Sequence, residues 1–295
     1  MDLKQLEYFV RVAELGSFTK ASNLLDIAQP ALSRQIRLLE IELRQNLLIR
    51  NGRGVATTDA GKVLLEHGRG ILHQVDRAKE DVSMVRGTLA GRVALGLPPS
   101  MTKIINLPLT REFRKIMPNA KLSIIEGLSV AMQESLLAGR LDIALLYNPG
   151  FTSDIETIPI FDEDLYFVSP KSKNSTKSPI GLAELADHQL VMPGRPNALR
   201  MLLETELSKI GKKPNISLEI DGVLMILDLI EDGAGHGILP QYTINASGRK
   251  DQFDIRPITN LTGKLVLATA ANRASTRTQL EAIRIIQSIV GKKPA

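Results

Sequence analysis

Between residues 29 and 37 the segment QPALSRQIR sets Gln29, Pro30, Ser33, Arg34 and Arg37 along one side of a helix. The other side carries Leu32, Ile36, Leu39 and Leu43 at helical spacing, an apolar stripe that needs a core to face. The polar side suits base edges in the major groove of double-stranded DNA. A guanidinium pairs with O6 and N7 of guanine, a glutamine amide pairs with adenine, and compact groups such as Pro30 and Ala31 lie against a thymine methyl. Taken alone, the helix also reads as an ordinary amphipathic one with a solvated face, so its neighbours carry the distinction.

The neighbours form a support for it. Phe18, Ala21, Leu24 and Leu25 recur at helical spacing behind Ser17 as N-cap, and Asp26 interrupts the pattern. Pro30 then suits the first turn of the next helix, where a missing N–H costs nothing and φ is already near helical. Leu3, Leu6, Phe9, Val10 and Ala13 predict an opening helix over Met1 to Leu15, completing a three-helix core. After it, Leu47 to Arg50 reads as a short strand, Asn51 to Gly54 as a turn, and Val55 and Ala56 as the returning strand. This predicts a β-wing with Arg53 at its tip, placed to enter a minor groove where narrow A·T-rich sequence concentrates negative potential. A hairpin with a solvated arginine is the alternative.

A long helix follows, with Thr58 as N-cap and Asp59 in its first turn. Leu64, Gly68, Ile71, Val75, Ala78, Val82, Val85 and Leu89 alternate steps of four and three, which is a heptad seam. Such a seam requires a partner helix, so a homodimer through this helix is expected, with Gly68 as a point of close approach or loosened packing. Packing onto the chain's own domain is the alternative. A dimer fits DNA reading, because two copies engage half-sites separated by whole helical turns.

The chain has 295 residues, is 43% hydrophobic and has a mean hydropathy of zero, the profile of a soluble protein with room for two or three domains. A formal charge of +5 is too mild to identify a nucleic-acid binder, but Gln29 to Ala56 holds five arginines against two glutamates. Cysteine is absent, which removes disulfides, thiolate chemistry and Cys-rich zinc sites. The N-terminus MDLKQLEYFV lacks the features of a signal peptide, and no apolar run approaches a membrane span, so a cytoplasmic location without membrane contact is expected.

From Gly87 to Gly91 the composition shifts, and a hinge is placed there. Beyond it, Val93 to Leu97, a helix over Lys103 to Met117, Leu122 to Ile125, a helix over Val130 to Ala138, and Leu141 to Tyr147 give a βαβαβ rhythm and a largely parallel sheet. A second series runs through Leu165 to Val168, Leu190 to Met192, a helix from about Asn197 to Ile210, Ile216 to Ile220, a helix from about Val223 to Glu231, Gly237 to Leu239, and Phe253 to Ile258. Two similar lobes follow from this. The last strand, Leu265 to Ala270, and the last helix, Gln279 to Val290, fit either lobe by periodicity. Lys171 to Ser178 reads as a polar surface loop.

Taken together, LEYFVRVAELGSFTKAS (6–22), AQPALSRQIRLLE (28–40), LLIR (47–50) and TDAGK (58–62) resemble the LysR-type transcriptional regulators. IAQPALS, LLIR and TDAGK are especially similar to the nitrogen assimilation control branch, and the later α/β pattern extends the resemblance over essentially the whole chain. The resemblance implies an N-terminal α winged helix-turn-helix (1–58), a long dimerising linker helix (59–90), and a C-terminal α/β domain (91–295) of two lobes resembling periplasmic binding proteins. Lobe 1 would comprise 91–161 and 265–295, so that the last strand and helix return to it, and lobe 2 would comprise 162–264. It further implies base and phosphate contacts from Gln29, Pro30, Ser33 and Arg34, with Arg37 beside them and Arg53 as the wing contact. Assembly as a dimer of dimers that bends its operator is implied as well.

For the cleft between lobes, the resemblance points to a small organic acid as effector. Ser100, Met101 and Thr102, in the loop expected after the first strand of this region, with Ser129 and Asn197 at two helix starts, are the candidate contacts. Hydroxyls and helix N-termini favour an anion, although the same residues also read as plain caps and loop hydroxyls. The cleft segments are rich in Pro and Met, with Arg195 and Arg200 near, and control by abundance or oligomeric state without an effector is the alternative.

Other motifs carry less. In EDGAGHGILP the glycines follow a helix and precede a strand, the reverse of a phosphate-binding loop, so a tight turn is expected there, with His236 as a loop or core residue. His67 and His73 stand six apart and do not share a helix face. No metal or cofactor is expected. The sequence lacks a nucleophile elbow, P-loop, HExxH or dinucleotide fingerprint, and Glu163–Asp164 reads as a solvated turn, so an enzyme is not expected. A solute-binding protein would leave residues 1–89 without a purpose.

Overall fold

The computed structural model describes residues 1–51, 54–83, 89–150, 152–172 and 176–291, and the chain divides into an N-terminal and a C-terminal compact unit. In the first, α1 (Leu3–Leu15), α2 (Phe18–Leu25) and α3 (Gln29–Leu43) pack around Phe9, Val12, Ala21, Leu32, Ile36 and Leu39, all buried. Each helix has a readable boundary. Asp2 and Gln5 form a capping box at α1, Ser17 accepts the Lys20 N–H at 3.3 Å at the start of α2, and Gly16, Asp26 and Arg44 take left-handed φ at the three C-termini. Leu24 and Leu43 leave the expected apolar faces and stand exposed.

Strands β1 (Leu48–Asn51) and β2 (Gly54–Thr57) pair antiparallel, and helix α4 (Asp59–Ser83) follows. The hairpin is tied to the helices at three points. Glu40 accepts the N–H groups of Leu47 and Leu48 at 2.8 and 3.2 Å, the Val55 N–H donates to the Gly16 carbonyl at 2.9 Å, and the Thr58 hydroxyl donates to the Asn46 carbonyl while capping Gly61. Arg53 and Val85 lie outside the described residues, as do parts of the expected hinge and of the Lys171 to Ser178 loop.

Along α4 the expected seam divides. Leu64 packs against the three-helix core, and a Cβ on Gly68 would come 2.9 Å from Val10 and 3.1 Å from Leu6, so this end of the stripe is occupied within the chain. Gly68 is therefore the point where α4 approaches α1 and not a contact awaiting a second copy. Ile71, Ala78 and Val82 are exposed and Val75 is half-buried.

In the C-terminal unit, β3 (Ala90–Leu97), α5 (Pro99–Ile116), β4 (Asn119–Glu126), α6 (Ser129–Leu137) and β5 (Ile143–Tyr147) give the βαβαβ run, with β3 parallel to both β4 and β5. After β6 (Ile155–Pro170) come the short α7 (Leu182–Leu185), β7 (Gln189–Met192), α8 (Ala198–Lys209), β8 (Asn215–Glu219), α9 (Val223–Glu231), β9 (Gly237–Pro240), α10 (Gln241–Ser247), β10 (Phe253–Ala270) and α11 (Arg277–Val290). The main sheet runs β4-β3-β5-β10-β6-β9, and β7 pairs with β8. Phe253 to Ile258 and Leu265 to Ala270, expected as separate strands, are one continuous β10, because the polar stretch between them is accommodated by a register shift between Pro257 and Thr262 with Asn260 at φ 58°. Strand β6 likewise extends well before Leu165.

Two apolar cores define two lobes. One gathers Leu95, Phe113, Leu145, Leu267 and the α11 residues Ile285 and Ile286; the other gathers Leu165, Phe167, Leu190, Leu203 and Ile258. Strands β6 and β10 pass through both. The EDGAGHGILP segment is a turn, with Gly233 at φ 84° and Gly235 at φ 158°. His236 is half-buried there, stacked on Phe167 and edge-on to His188, and burial followed by the His188 charge pushes its pKa down.

A Cβ at Gly61 would fall 2.0 Å from the Leu47 carbonyl oxygen, which also accepts the Thr58 N–H. Gly61→Ala is expected to destabilise the N-terminal unit by about 1–3 kcal/mol through overpacking. Chemical denaturation of the full chain measures the loss, and hydrogen exchange at Thr58 localises it; an unchanged midpoint with slow Thr58 exchange would show that α4 yields freely.

Candidate functional site

Two places in the structure gather groups suited to binding. The first is the exposed side of α3. The αL turn at Asp26, whose N–H returns to the Ser22 carbonyl, reverses the chain so that α3 starts at Gln29 with Pro30 in its first turn. Gln29, Pro30, Arg34 and Arg37 are exposed and Ser33 is half-buried, while Leu32, Ile36 and Leu39 fix the helix from behind. The Gln29 side-chain oxygen accepts the Thr19 hydroxyl at 3.3 Å, joining the two helices at their exposed corner.

Arg34 and Arg37 make no hydrogen bond or ion pair with any described residue. Glu40, one turn further on, is turned away to hold Leu47 and Leu48, so it does not neutralise them. The face thus presents two guanidiniums, an amide and a hydroxyl, the donor set that matches guanine and adenine edges and phosphate oxygens. Glu40 has no spacing signature in the sequence; its part emerges only once the wing is folded back onto α3.

The second place is a cavity between the lobes, of about 70 Å³, adjoined by a wider mouth of about 400 Å³ that shares Ser100, Asp221 and Thr243 with it. Its walls come from the C-terminal ends of strands and the helix starts that follow them, the usual location of a crevice in α/β sheets. Pro98 and Ser100 at α5, Leu128 and Ser129 at α6, Asn197 and Ala198 at α8, and Asp221 and Val223 at α9 all line it. The positive ends of four helix dipoles therefore meet there.

Ser100, Ser129 and Asn197 line the cavity; Met101 and Thr102 do not. Helix α5 begins at Pro99, earlier than the Lys103 expected from the pattern, so Ser100 to Thr102 are helical and not loop. One helical step turns Met101 into the lobe-1 core, where it is 1% exposed, and the Thr102 hydroxyl returns to the Pro98 carbonyl at 3.3 Å. Ser129 and Asn197 also have structural partners. The Ser129 oxygen accepts the Tyr147 N–H at 3.0 Å, leaving its own proton to donate, and the Asn197 oxygen caps Leu199 and Arg200 at 2.9 and 3.2 Å.

The neighbouring arginines are taken. Glu204 receives Arg200 Nε at 2.6 Å and Arg195 at 2.8 Å, and Arg200 also reaches Glu219 at 3.3 Å. Burial works to raise the Glu204 pKa, but hydrogen bonds and charge from Arg200 and Arg195 outweigh it and hold the carboxyl below its ordinary value. Tyr147, Asp221 and Thr243 were not anticipated as lining residues. Asp221 had a signal in its place between the end of β8 and the start of α9; Thr243, inside the short α10, had none. Among the described residues, no group of three or more His, Cys, Asp or Glu is arranged to hold a metal ion, and no helix is long and apolar enough to cross a membrane.

Residues 3–62 match the family model described as bacterial regulatory helix-turn-helix protein, lysR family, and residues 86–288 match the LysR substrate binding domain. The chain is 36% identical over 242 residues to the nitrogen assimilation regulatory protein nac of Klebsiella aerogenes, covering 82% of this chain and 79% of that protein. The protein of the same name from Escherichia coli (strain K12) is 32% identical over equal coverage. In fold, the chain is similar to CbnR, a LysR family transcriptional regulator, with a TM-score of 0.71 at 24% identity over 98% of this chain and 99% of that one. It is also similar to full-length BenM, with a TM-score of 0.59 at 27% identity over 99% and 98%. The two family models follow one another along the chain, one over the exposed α3 face and one over the lobes and their cavity, and the chain therefore belongs to the LysR family, a DNA-binding transcriptional regulator with a substrate-binding domain and not an enzyme.

Proposed function

We propose that this regulator reads its operator by laying α3 in the major groove, with Gln29, Pro30, Ser33, Arg34 and Arg37 at base edges and phosphates and Arg53 of the wing in the adjacent minor groove. The supporting observation is the pair of exposed guanidiniums on α3 that no described residue neutralises. It acts in the cytoplasm as a homodimer joined through Ile71, Val75 and Val82 of the α4 stripe together with Val85 of the heptad sequence, and pairs of dimers form a tetramer. The DNA-binding region is taken as 1–58, the linker as 59–90 and the regulatory domain as 91–295. Its cleft senses a small organic acid, a reading supported by the four helix N-termini and the Ser100, Ser129 and Asn197 groups at the cavity.

A second reading has its own support. Arg195 and Arg200 are both committed to Glu204 and leave the cavity without a free guanidinium among the described residues, so control by abundance or oligomeric state without an effector is the alternative.

Ser33→Ala and Arg34→Ala are each expected to reduce discrimination between operator and random DNA by about 1–3 kcal/mol, measured in gel shifts at fixed salt. Equal losses on both DNAs would assign the face to phosphate alone. Val82 is 75% exposed in the single chain, so Val82→Asp leaves the fold intact and is expected to shift sedimentation toward monomer; an unchanged dimer removes this part of α4 from the interface. Thermal shift of the full chain against small carboxylic acids separates the two effector readings, and a uniformly flat response favours regulation without a ligand.

A further inference from the structure

The cavity wall contains a hydroxyl that the fold leaves unused. Thr243 is 6% exposed, and its Oγ1 is buried without a hydrogen-bond partner among the described residues, although the side chain lines both the cavity and its mouth. Buried polar groups in folded proteins are almost always paired, so a leftover hydroxyl in a cavity wall is a group available to a bound molecule. The charges around it are uneven. Asp221 lines both cavity and mouth, Glu126 stands in the mouth from the other lobe, and Lys103 is the one cation among the described lining residues. Asp221 is held in place by the Gly194 N–H, which donates to its Oδ1 at 3.1 Å.

These groups make opposite demands. The starts of α5 and α6, with Ser100 and Ser129, favour a carboxylate. Asp221 and Glu126 repel one, and like charges facing each other are a strong means of rejecting a ligand. A single molecule satisfies both demands when it carries an ammonium beside its carboxylate. We propose that the cleft binds an amino acid, its carboxylate toward the helix starts of lobe 1, its ammonium toward Asp221, and a hydrogen bond to Thr243. This rests on the effector reading above and narrows it to zwitterions.

The test uses the full chain, screened by thermal shift with the twenty protein amino acids and the deaminated counterpart of each, such as alanine with propionate and glutamate with glutarate. Hits are followed by calorimetry. At least one amino acid is expected to bind about tenfold or more tightly than its deaminated partner. Asp221→Asn retains an oxygen for the Gly194 N–H, so it is expected to abolish that preference without weakening the simple acid, while Thr243→Val weakens both. Simple acids binding as tightly as amino acids, with Asp221→Asn silent, would overturn the zwitterion proposal and leave the organic-acid reading standing. No binding by any compound would overturn both.

Discussion

Strands β6 and β10 are the only long antiparallel pair in the C-terminal unit described, and they run from one lobe core into the other. Their pairing changes register twice, between Pro257 and Thr262, where Ile258 and Leu261 enter the second core, and between Leu265 and Val266 in the first, and such bulges let a long strand bend and increase its twist. The end of β5 grips the crossing from the side. Asn148 donates its N–H to the Lys264 carbonyl at 2.9 Å and accepts the Lys264 N–H on its side chain at 3.0 Å, and the Tyr147 hydroxyl donates to Glu163 at 2.6 Å. The cavity sits beside this junction, because Tyr147 lines it while Ser129 holds the Tyr147 backbone. A ligand touching Ser129 thus touches the group that registers β5 against both crossing strands.

Electrostatic satisfaction explains why the cleft is not simply basic. An arginine close to a ligand cavity attracts an anion only if its own protein has not already paired it, and Glu204 binds both guanidiniums that sequence proximity suggests. Besides Lys103 at the mouth, what favours negative charge is the backbone, through helix starts, which carry partial charge and cannot be neutralised by a rotamer change. That arrangement binds small groups at close range and tolerates a nearby carboxylate such as Asp221. On α3 the balance is reversed: Glu40, the acid next in sequence after the arginines, is committed to the Leu47 and Leu48 amides, and the guanidiniums are left open.

Much of this was legible in the sequence because it is local. The Ser17 cap, the Asp26 break, the Pro30 start and the 3.6-residue stripes of α1 and α3 are each written within a few residues. The βαβαβ rhythm is equally local, and so the fold class follows from it. What was not legible depends on partners distant in sequence. Gly68 belongs to a heptad by spacing, yet its neighbours are Leu6 and Val10 of α1. Met101 and Ser100 are adjacent in sequence, and a helix beginning at Pro99 rather than Lys103 sends one into the core and the other to the cavity. The segment between Pro257 and Thr262 leaves the pairing with β6 as a bulge, because Ile258 and Leu261 turn into the second core and the Thr259 N–H donates to the Ile180 carbonyl, a partner far away in sequence.

The N-terminal unit shows how the short exposed face of α3 is made rigid. Five side chains on three turns of α3 have little intrinsic precision, and a helix of this length is marginal by itself in water. Precision comes from its fixings: the Leu32, Ile36 and Leu39 stripe behind it, the Thr19 hydroxyl at Gln29, and Glu40 clamping the hairpin to its far end. The hairpin is in turn clamped to α4 by Thr58 and by the contact that only Gly61 permits. Helix α3, the hairpin and α4 are therefore coupled, because a displacement of α4 acts through Leu47 and Glu40 on α3. A change in the position of α4 consequently changes how the exposed face of α3 is presented, without altering a single residue on that face.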